Sequence, residues 1–129
     1  MYKFNNVLLV DDDYVSNFIA EHLLQKHKVA SNVSFSRNGD EALKFLKETK
    51  EFPELIFLDI NMPVMDGFEF IEAFRKFNMD KNKTRIIIYT SSFNEKDLDM
   101  LNSIGFHDFI IKPLTEEKLH NLLKLFENN

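Results

Sequence analysis

Four short apolar runs, each stopped by a polar or charged residue, constrain this chain more than any other feature. Val7-Leu8-Leu9-Val10 stops at Asp11-Asp12-Asp13, and Leu55-Ile56-Phe57-Leu58 stops at Asp59. Ile86-Ile87-Ile88-Tyr89 stops at Thr90-Ser91, and Phe109-Ile110-Ile111 stops at Lys112-Pro113. Runs this dense and short read as strands buried on both faces, the pattern of parallel sheets covered by helices. Helical spacing fills the gaps. Val15, Phe18, Ile19, His22 and Leu23 mark one stripe, and Ala42, Phe45 and Leu46 a second after the turn and cap signal Asn38-Gly39-Asp40. Phe70, Ala73, Phe74 and Phe77 form a third stripe, followed by a polar turn from Asp80 to Lys83. Leu98 and Leu101 follow a cap at Asn94 and precede a helix-closing Gly105. Thr115 caps a last helix carrying Leu119, Leu122, Leu123 and Phe126. A weaker strand signal lies at Val33-Ser34-Phe35. Five strand-then-helix repeats with right-handed crossovers predict an α/β fold, a doubly wound five-stranded parallel sheet with helices on both faces. The four run-ending residues then share the sheet's carboxyl edge, where ligands of such sheets bind.

The bulk properties narrow the function. A chain of 129 residues suits one domain spanning 1–129, with no room for an attached output domain. A net charge of −5, with basic residues scattered from Lys3 to Lys124, argues against nucleic acid as the main partner. The absence of Cys excludes disulfides, thiolate catalysis and Cys-ligated zinc. No window approaches the ~20 apolar residues of a membrane span, and no signal-peptide stretch opens the chain. The expectation is a cytoplasmic protein with no membrane partner. Gly39, Gly67 and Gly105 are isolated, so neither dinucleotide nor P-loop signatures occur. His22, His27, His107 and His120 lack metal-ligand spacing.

The chemistry sits at the strand ends. Two like charges ~4 Å apart repel by roughly 4 kcal/mol at an effective dielectric of about 20, so Asp11, Asp12 and Asp13 in a row are costly. A hard divalent cation relieves this, and Mg²⁺ commonly takes one or two carboxylates besides waters and phosphate oxygens. For Asp13, capping the following helix is the better reading. Asp59 can be a mere strand-ending acid, but Pro63 and Gly67 build a tight loop that presents it beside the Asn61 backbone carbonyl. A carboxylate that attacks a phosphoryl donor gives an aspartyl-phosphate, and positioning with charge neutralisation suffices to catalyse that transfer. Thr90 suits a hydrogen bond to a phosphoryl oxygen. Lys112, restrained by Pro113, offers one ammonium.

As an ordered set, Leu8-Leu9-Val10-Asp11-Asp12, Leu58-Asp59-Ile60-Asn61-Met62-Pro63, Met65-Asp66-Gly67, Tyr89-Thr90-Ser91 and Gly105 through Pro113 resemble a response regulator receiver domain of two-component signalling. The resemblance covers essentially the whole chain and implies the flavodoxin-like (βα)5 fold. It implies Asp59 as phosphoacceptor, with Asp11, Asp12, Asp59 and the Asn61 carbonyl holding Mg²⁺. Thr90 and Lys112 would bind phosphoryl oxygens, and the Lys112-Pro113 bond would be cis. Phe109 stands at the rotameric-switch position, where burial of its ring would couple to movement of Thr90. Asn61 and Ser92 occupy positions that tune self-dephosphorylation. The face formed by the fourth helix, fifth strand and fifth helix, roughly Asn94 to Glu127, would meet a partner. The phosphoryl donor would be a histidine kinase or phosphotransfer protein, and the chain a monomer or a phosphorylation-dependent dimer. Catalysis would be confined to its own phosphorylation and dephosphorylation.

Two rivals stand beside this reading. Asp11-Asp12-Asp13-Tyr14-Val15 also resembles the nucleophile motif of haloacid-dehalogenase-type phosphatases, with Asp11 as nucleophile and Asp13 as general acid. That alternative leaves Asp59 and its loop unused. A binding module that keeps the fold without phosphorylation is the other.

Overall fold

The computed structural model describes residues 2–76, 84–91, 94–106 and 108–127. Its elements alternate as β1 (Phe4–Val10), α1 (Tyr14–Lys26), β2 (Ala30–Ser36), α2 (Gly39–Glu48) and β3 (Leu55–Leu58). They continue as α3 (Gly67–Arg75), β4 (Arg85–Thr90), α4 (Glu95–Ser103), β5 (Phe109–Ile111) and α5 (Glu116–Glu127). All strands are parallel, in one sheet of order β2-β1-β3-β4-β5. The expectations placed on Phe77, on the turn from Asp80 to Lys83, on Ser92 and on His107 lie outside the described residues.

Alternation along the strands divides the core in two. Val7, Leu9, Phe57, Ile87 and Tyr89 pack with Ala20 and Leu24 of α1 and with Leu119 and Leu122 of α5. Leu8, Val10, Ile56, Leu58 and Ile88 face the other way, toward Leu46 of α2, Phe70 and Phe74 of α3, and Leu101 of α4. Both faces of the central strands are therefore covered, which is why those strands read as unbroken apolar runs. The edge strand β2 is buried only at its ends, Ala30 and Ser36, and it extends to seven residues where the sequence marked three.

The helix ends follow local chemistry. Asn38 accepts from the Glu41 N–H at 2.9 Å. Asp66 with Glu69, and Asn94 with Asp97, form reciprocal capping boxes. After α4, Gly105 has φ +92, its N–H reaches the Asn102 carbonyl, and the Phe106 N–H reaches that of Leu101. This is a Schellman stop, and it requires the left-handed backbone that glycine takes freely.

The α1 stripe differs from the sequence expectation. Its buried residues are Ser16, Ala20 and Leu24, while Val15 is 62% and Phe18 58% exposed. Asp13 caps α1 through Val15 N–H and Ser16 N–H, and the Ser16 hydroxyl donates to the other Asp13 oxygen at 2.9 Å. The cap closes the first turn, and Ala20 and Leu24 pack into the core beneath it. Val15 and Phe18 are left outside.

Candidate active site

Strand register assembles the site. Val10 is level with Leu58, so the next residues, Asp11 and Asp59, leave β1 and β3 side by side, with the Asp59 N–H on the Val10 carbonyl at 3.0 Å. Strand order reverses between these two strands, and such a switch point is where open α/β sheets bind ligands. Leu58 is level with Ile88, which brings Thr90 beyond the edge next to Asp59. Thr90 is level with Ile111, and the Lys112 N–H donates to the Thr90 carbonyl at 2.9 Å. Four residues separated by up to 101 positions meet because three registers agree.

At the centre, Lys112 Nζ stands 2.5 Å from Asp11 Oδ2 and 3.2 Å from Asp59 Oδ2. Asp59 Oδ1 accepts the Asn61 N–H at 3.0 Å, so both oxygens of the carboxylate are oriented. Asp11 Oδ1 accepts the Asp13 N–H, and the Asn17 amide donates to the Asp11 carbonyl. Thr90 is fully buried, and its hydroxyl accepts from the Asn61 side-chain amide at 3.3 Å. The sequence expectation gave Asn61 a backbone carbonyl for the metal and a position that tunes self-dephosphorylation, but no bond to Thr90. The side-chain link across the edge was not legible, since it depends on the β3–β4 register.

Asp11, Asp12 and Asp59 each offer one oxygen, and the three oxygens lie within 4.8 Å of one another. Asp12 is exposed while the other two are buried. Buried Asp11 Oδ2 is paired with the Lys112 ammonium, and no other donor among the described residues reaches it. Burial pushes the Asp11 carboxyl above the usual carboxylate range, and the opposing pull of Lys112 does not cancel it. Burial alone would lower the Lys112 ammonium, but Asp11 and then Asp59 outweigh it and hold the group above its ordinary value. A buried carboxylate oxygen with one lysine for its partner, grouped with oxygens of two more carboxylates, fits a hard divalent cation with oxygen ligands.

Two expected residues stand apart from this cluster. Asp13 points its carboxylate into the α1 cap. Its pKa is lowered, first by the Ser16 hydroxyl bond. Phe109 is 38% exposed rather than buried, because β5 is a three-residue edge strand that turns Ile110 inward and Phe109 and Ile111 outward. The Lys112-Pro113 bond is cis, as the resemblance implied. Between Asp59 and α3, the Met65 N–H closes onto the Pro63 carbonyl at 2.7 Å around Val64, whose φ is +68. Gly67 then passes so close that an added Cβ would lie 2.6 Å from Ile60 Cα and 2.8 Å from the Asp59 carbonyl oxygen.

Known proteins share the sequence pattern and the fold. The family model described as response regulator receiver domain matches residues 7–124. Hybrid signal transduction histidine kinase F of Dictyostelium discoideum is 33% identical over 95% of the chain, which spans only 11% of that protein. A two component response regulator from Cytophaga hutchinsonii superposes with TM-score 0.82 at 30% identity, over 98% of this chain and 99% of that one. The receiver domain of the Arabidopsis thaliana histidine kinase CKI1, solved with Mg²⁺ and BeF3⁻, superposes with TM-score 0.80 at 28% identity, over 97% and 91%. Five parallel strands in this order, an acidic trio at the switch point and a family match across nearly the whole length agree, and the chain belongs to the response regulator receiver domains of two-component signalling.

Proposed function

We propose that Asp59 is the phosphoacceptor and that residues 1–129 act as one receiver unit. Receiver domains are signalling switches that work with histidine kinases or phosphotransfer proteins, and the donor for this chain is taken to be one of those. An Asp59 oxygen attacks the phosphorus of a phosphohistidine, the P–N bond breaks, and the imidazole leaves with the bonding electrons. The product is the aspartyl-phosphate. The observation that carries this reading is the meeting of Asp59, Asp11, Thr90 and Lys112 at one strand-end cluster, with the Lys112 ammonium already on an Asp59 oxygen.

Asp11, Asp12, Asp59 and the Asn61 carbonyl are the proposed Mg²⁺ ligands, supported by the grouped oxygens and by the Mg²⁺ in the Arabidopsis receiver. The ion would supply charge neutralisation for the transferring group. Lys112 would neutralise a phosphoryl oxygen from the other side, and the Thr90 hydroxyl would exchange Asn61 for a second. That exchange is a small movement with a two-state character: Thr90 is held by Asn61 in one arrangement and by the phosphoryl group in the other. Phe109 and the face from α4 through β5 to α5 would carry the change to a partner. A groove of about 470 Å³ beside β5, lined by Phe109, Ile111, Leu122 and Leu125 among others, supports that placement. Whether the signalling form is a monomer or a phosphorylation-dependent dimer is read from its mass in solution.

No helix among the described residues is long and apolar enough to cross a membrane; the proposed site of action is the cytoplasm. The phosphatase rival is not favoured, since it needs Asp13 as an acid and Asp13 is spent on the cap. The test is intact mass after incubation with acetyl phosphate, with and without Mg²⁺, on wild type and Asp59→Asn. One adduct that needs both Mg²⁺ and Asp59 is expected. An adduct that survives Asp59→Asn and disappears in Asp11→Asn would restore the phosphatase reading.

A further inference from the structure

Lys112 can meet a phosphoryl oxygen only if the segment around it is held in place, and two side chains with no part in the proposed chemistry grip that segment. Tyr89 stands one residue before Thr90 and is buried. Its hydroxyl accepts the Leu114 N–H at 3.1 Å, and Lys112 Nζ lies 5.4 Å from its ring centroid. An aliphatic residue would fill a buried strand position equally well without a phenol oxygen to satisfy. Lys118 is the third residue of α5, where the helix dipole disfavours a cation. Helix stability gives no reason for a lysine there. Its ammonium donates to the Ile111 carbonyl at 2.6 Å and to the Pro113 carbonyl at 3.2 Å, the residues on either side of Lys112.

We infer that Tyr89 and Lys118 are positioning residues for phosphoryl transfer, bracing the backbone before and after Lys112 so that its ammonium is aimed between Asp11 and Asp59. With the Lys112 N–H on the Thr90 carbonyl, polar groups of four consecutive residues, Ile111 to Leu114, are pinned. The braces come from β4 and α5, so the lysine is referenced both to the strand that carries Thr90 and to the helix behind it. This inference rests on the assignment of Lys112 as a phosphoryl-binding group.

Tyr89→Phe removes the hydroxyl and keeps the ring, and Lys118→Met removes the ammonium and keeps the chain length. Phosphorylation by acetyl phosphate at saturating Mg²⁺ is expected to slow several-fold in each and about tenfold in the double variant, below the roughly hundredfold that a 1 Å misplacement of a reacting group can cost. Mg²⁺ affinity by calorimetry is expected to stay at the wild-type value, because the carboxylates are untouched. Lys118→Arg, which keeps two donors, is expected to restore the rate. Urea unfolding of each variant separates loss of fold from loss of aim. Wild-type rates in the double variant would overturn the inference, as would a rate loss matched by lost Mg²⁺ affinity or an Lys118→Arg no better than Lys118→Met. Absence of any Asp59-dependent adduct in the wild type would instead sink the reading of the site, and the braces with it.

Discussion

Lys112 is the residue on which the electrostatics of the site turn. It compensates two buried carboxylates, and removing one partner of a well-buried ion pair commonly costs about 3–5 kcal/mol. That figure is an upper bound for Lys112→Met, because Asp11, already pushed up by burial, can take a proton instead. The stability deficit of the variant should therefore shrink as pH falls from 8 to 5, measured by urea unfolding. The sign on the alkaline side is also fixed. A lysine raised in the folded state contributes stability that is present below its ordinary value of about 10.4 and lost as pH rises through the folded value. Wild type should lose stability above about pH 10.4 that Lys112→Met has already lost, and parallel alkaline limbs would contradict the pair. In function, Lys112→Ala should blunt phosphorylation more than Mg²⁺ binding, since its proposed role is at the phosphoryl group. Abolished Mg²⁺ binding with surviving phospho-dependent output would reverse that assignment. At this scale the sequence was informative: Asp11, Asp12, Asp59, Thr90 and Lys112 were all legible as strand-ending polar residues. The Asn61 amide on Thr90 was not, because nothing local in the sequence states what lies across from a loop.

The elements show where local chemistry decides. Asp13 caps α1 with one oxygen and takes the Ser16 hydroxyl on the other, so Asp13→Ala should cost about 1 kcal/mol in urea unfolding while leaving Mg²⁺ affinity nearly intact. Its depressed pKa gives the acid limb. The cap's contribution is present above the ordinary Asp value and is lost as pH falls through the lower folded one. An Asp13→Ala variant whose Mg²⁺ affinity collapsed would return Asp13 to the metal site. The turn after Asp59 makes the opposite kind of prediction. Val64 is 80% exposed, so it contributes little packing, and its left-handed backbone carries a penalty of roughly 1–2 kcal/mol for a residue with a β-carbon. Val64→Asn should stabilise the domain by up to about 1 kcal/mol, since Asn tolerates that region and a β-branched residue does not. Gly67→Ala should do harm instead, because the backbone of Asp59 and Ile60 lies where the methyl would go and cannot yield as a side chain can. It should lower both stability and the phosphorylation rate.

For the whole molecule, the fold and the proposed metal site are coupled through one unfavourable feature: three carboxylates drawn together by strand register, with one ammonium among them. A cation that binds only the folded state stabilises it by about 2.7 kcal/mol at a hundred times its dissociation constant. Saturating Mg²⁺ should therefore raise the melting temperature by several degrees, more at pH 8 than at pH 5, where a proton competes at Asp11. An equal shift in an Asp11→Asn, Asp12→Asn double variant would place the ion elsewhere. The sequence by itself determined the alternation of strands and helices, the α/β class, most caps and five of the residues that meet at the strand ends. Those signals are local: apolar runs, helical spacing and side chains that hydrogen-bond within a turn. It misjudged the inward face of α1, because the rotation of a helix is set by the sheet beneath it, and apolar spacing alone left Val15 and Phe18 as good as Ser16 and Ala20. The outward placement of Phe109 was not legible for a related reason, since only the sheet order makes β5 an edge. Which strand ends stand together, which oxygen the Lys112 ammonium reaches, and how Tyr89 and Lys118 hold its loop were decided by tertiary structure alone, because register joins residues that the chain keeps far apart.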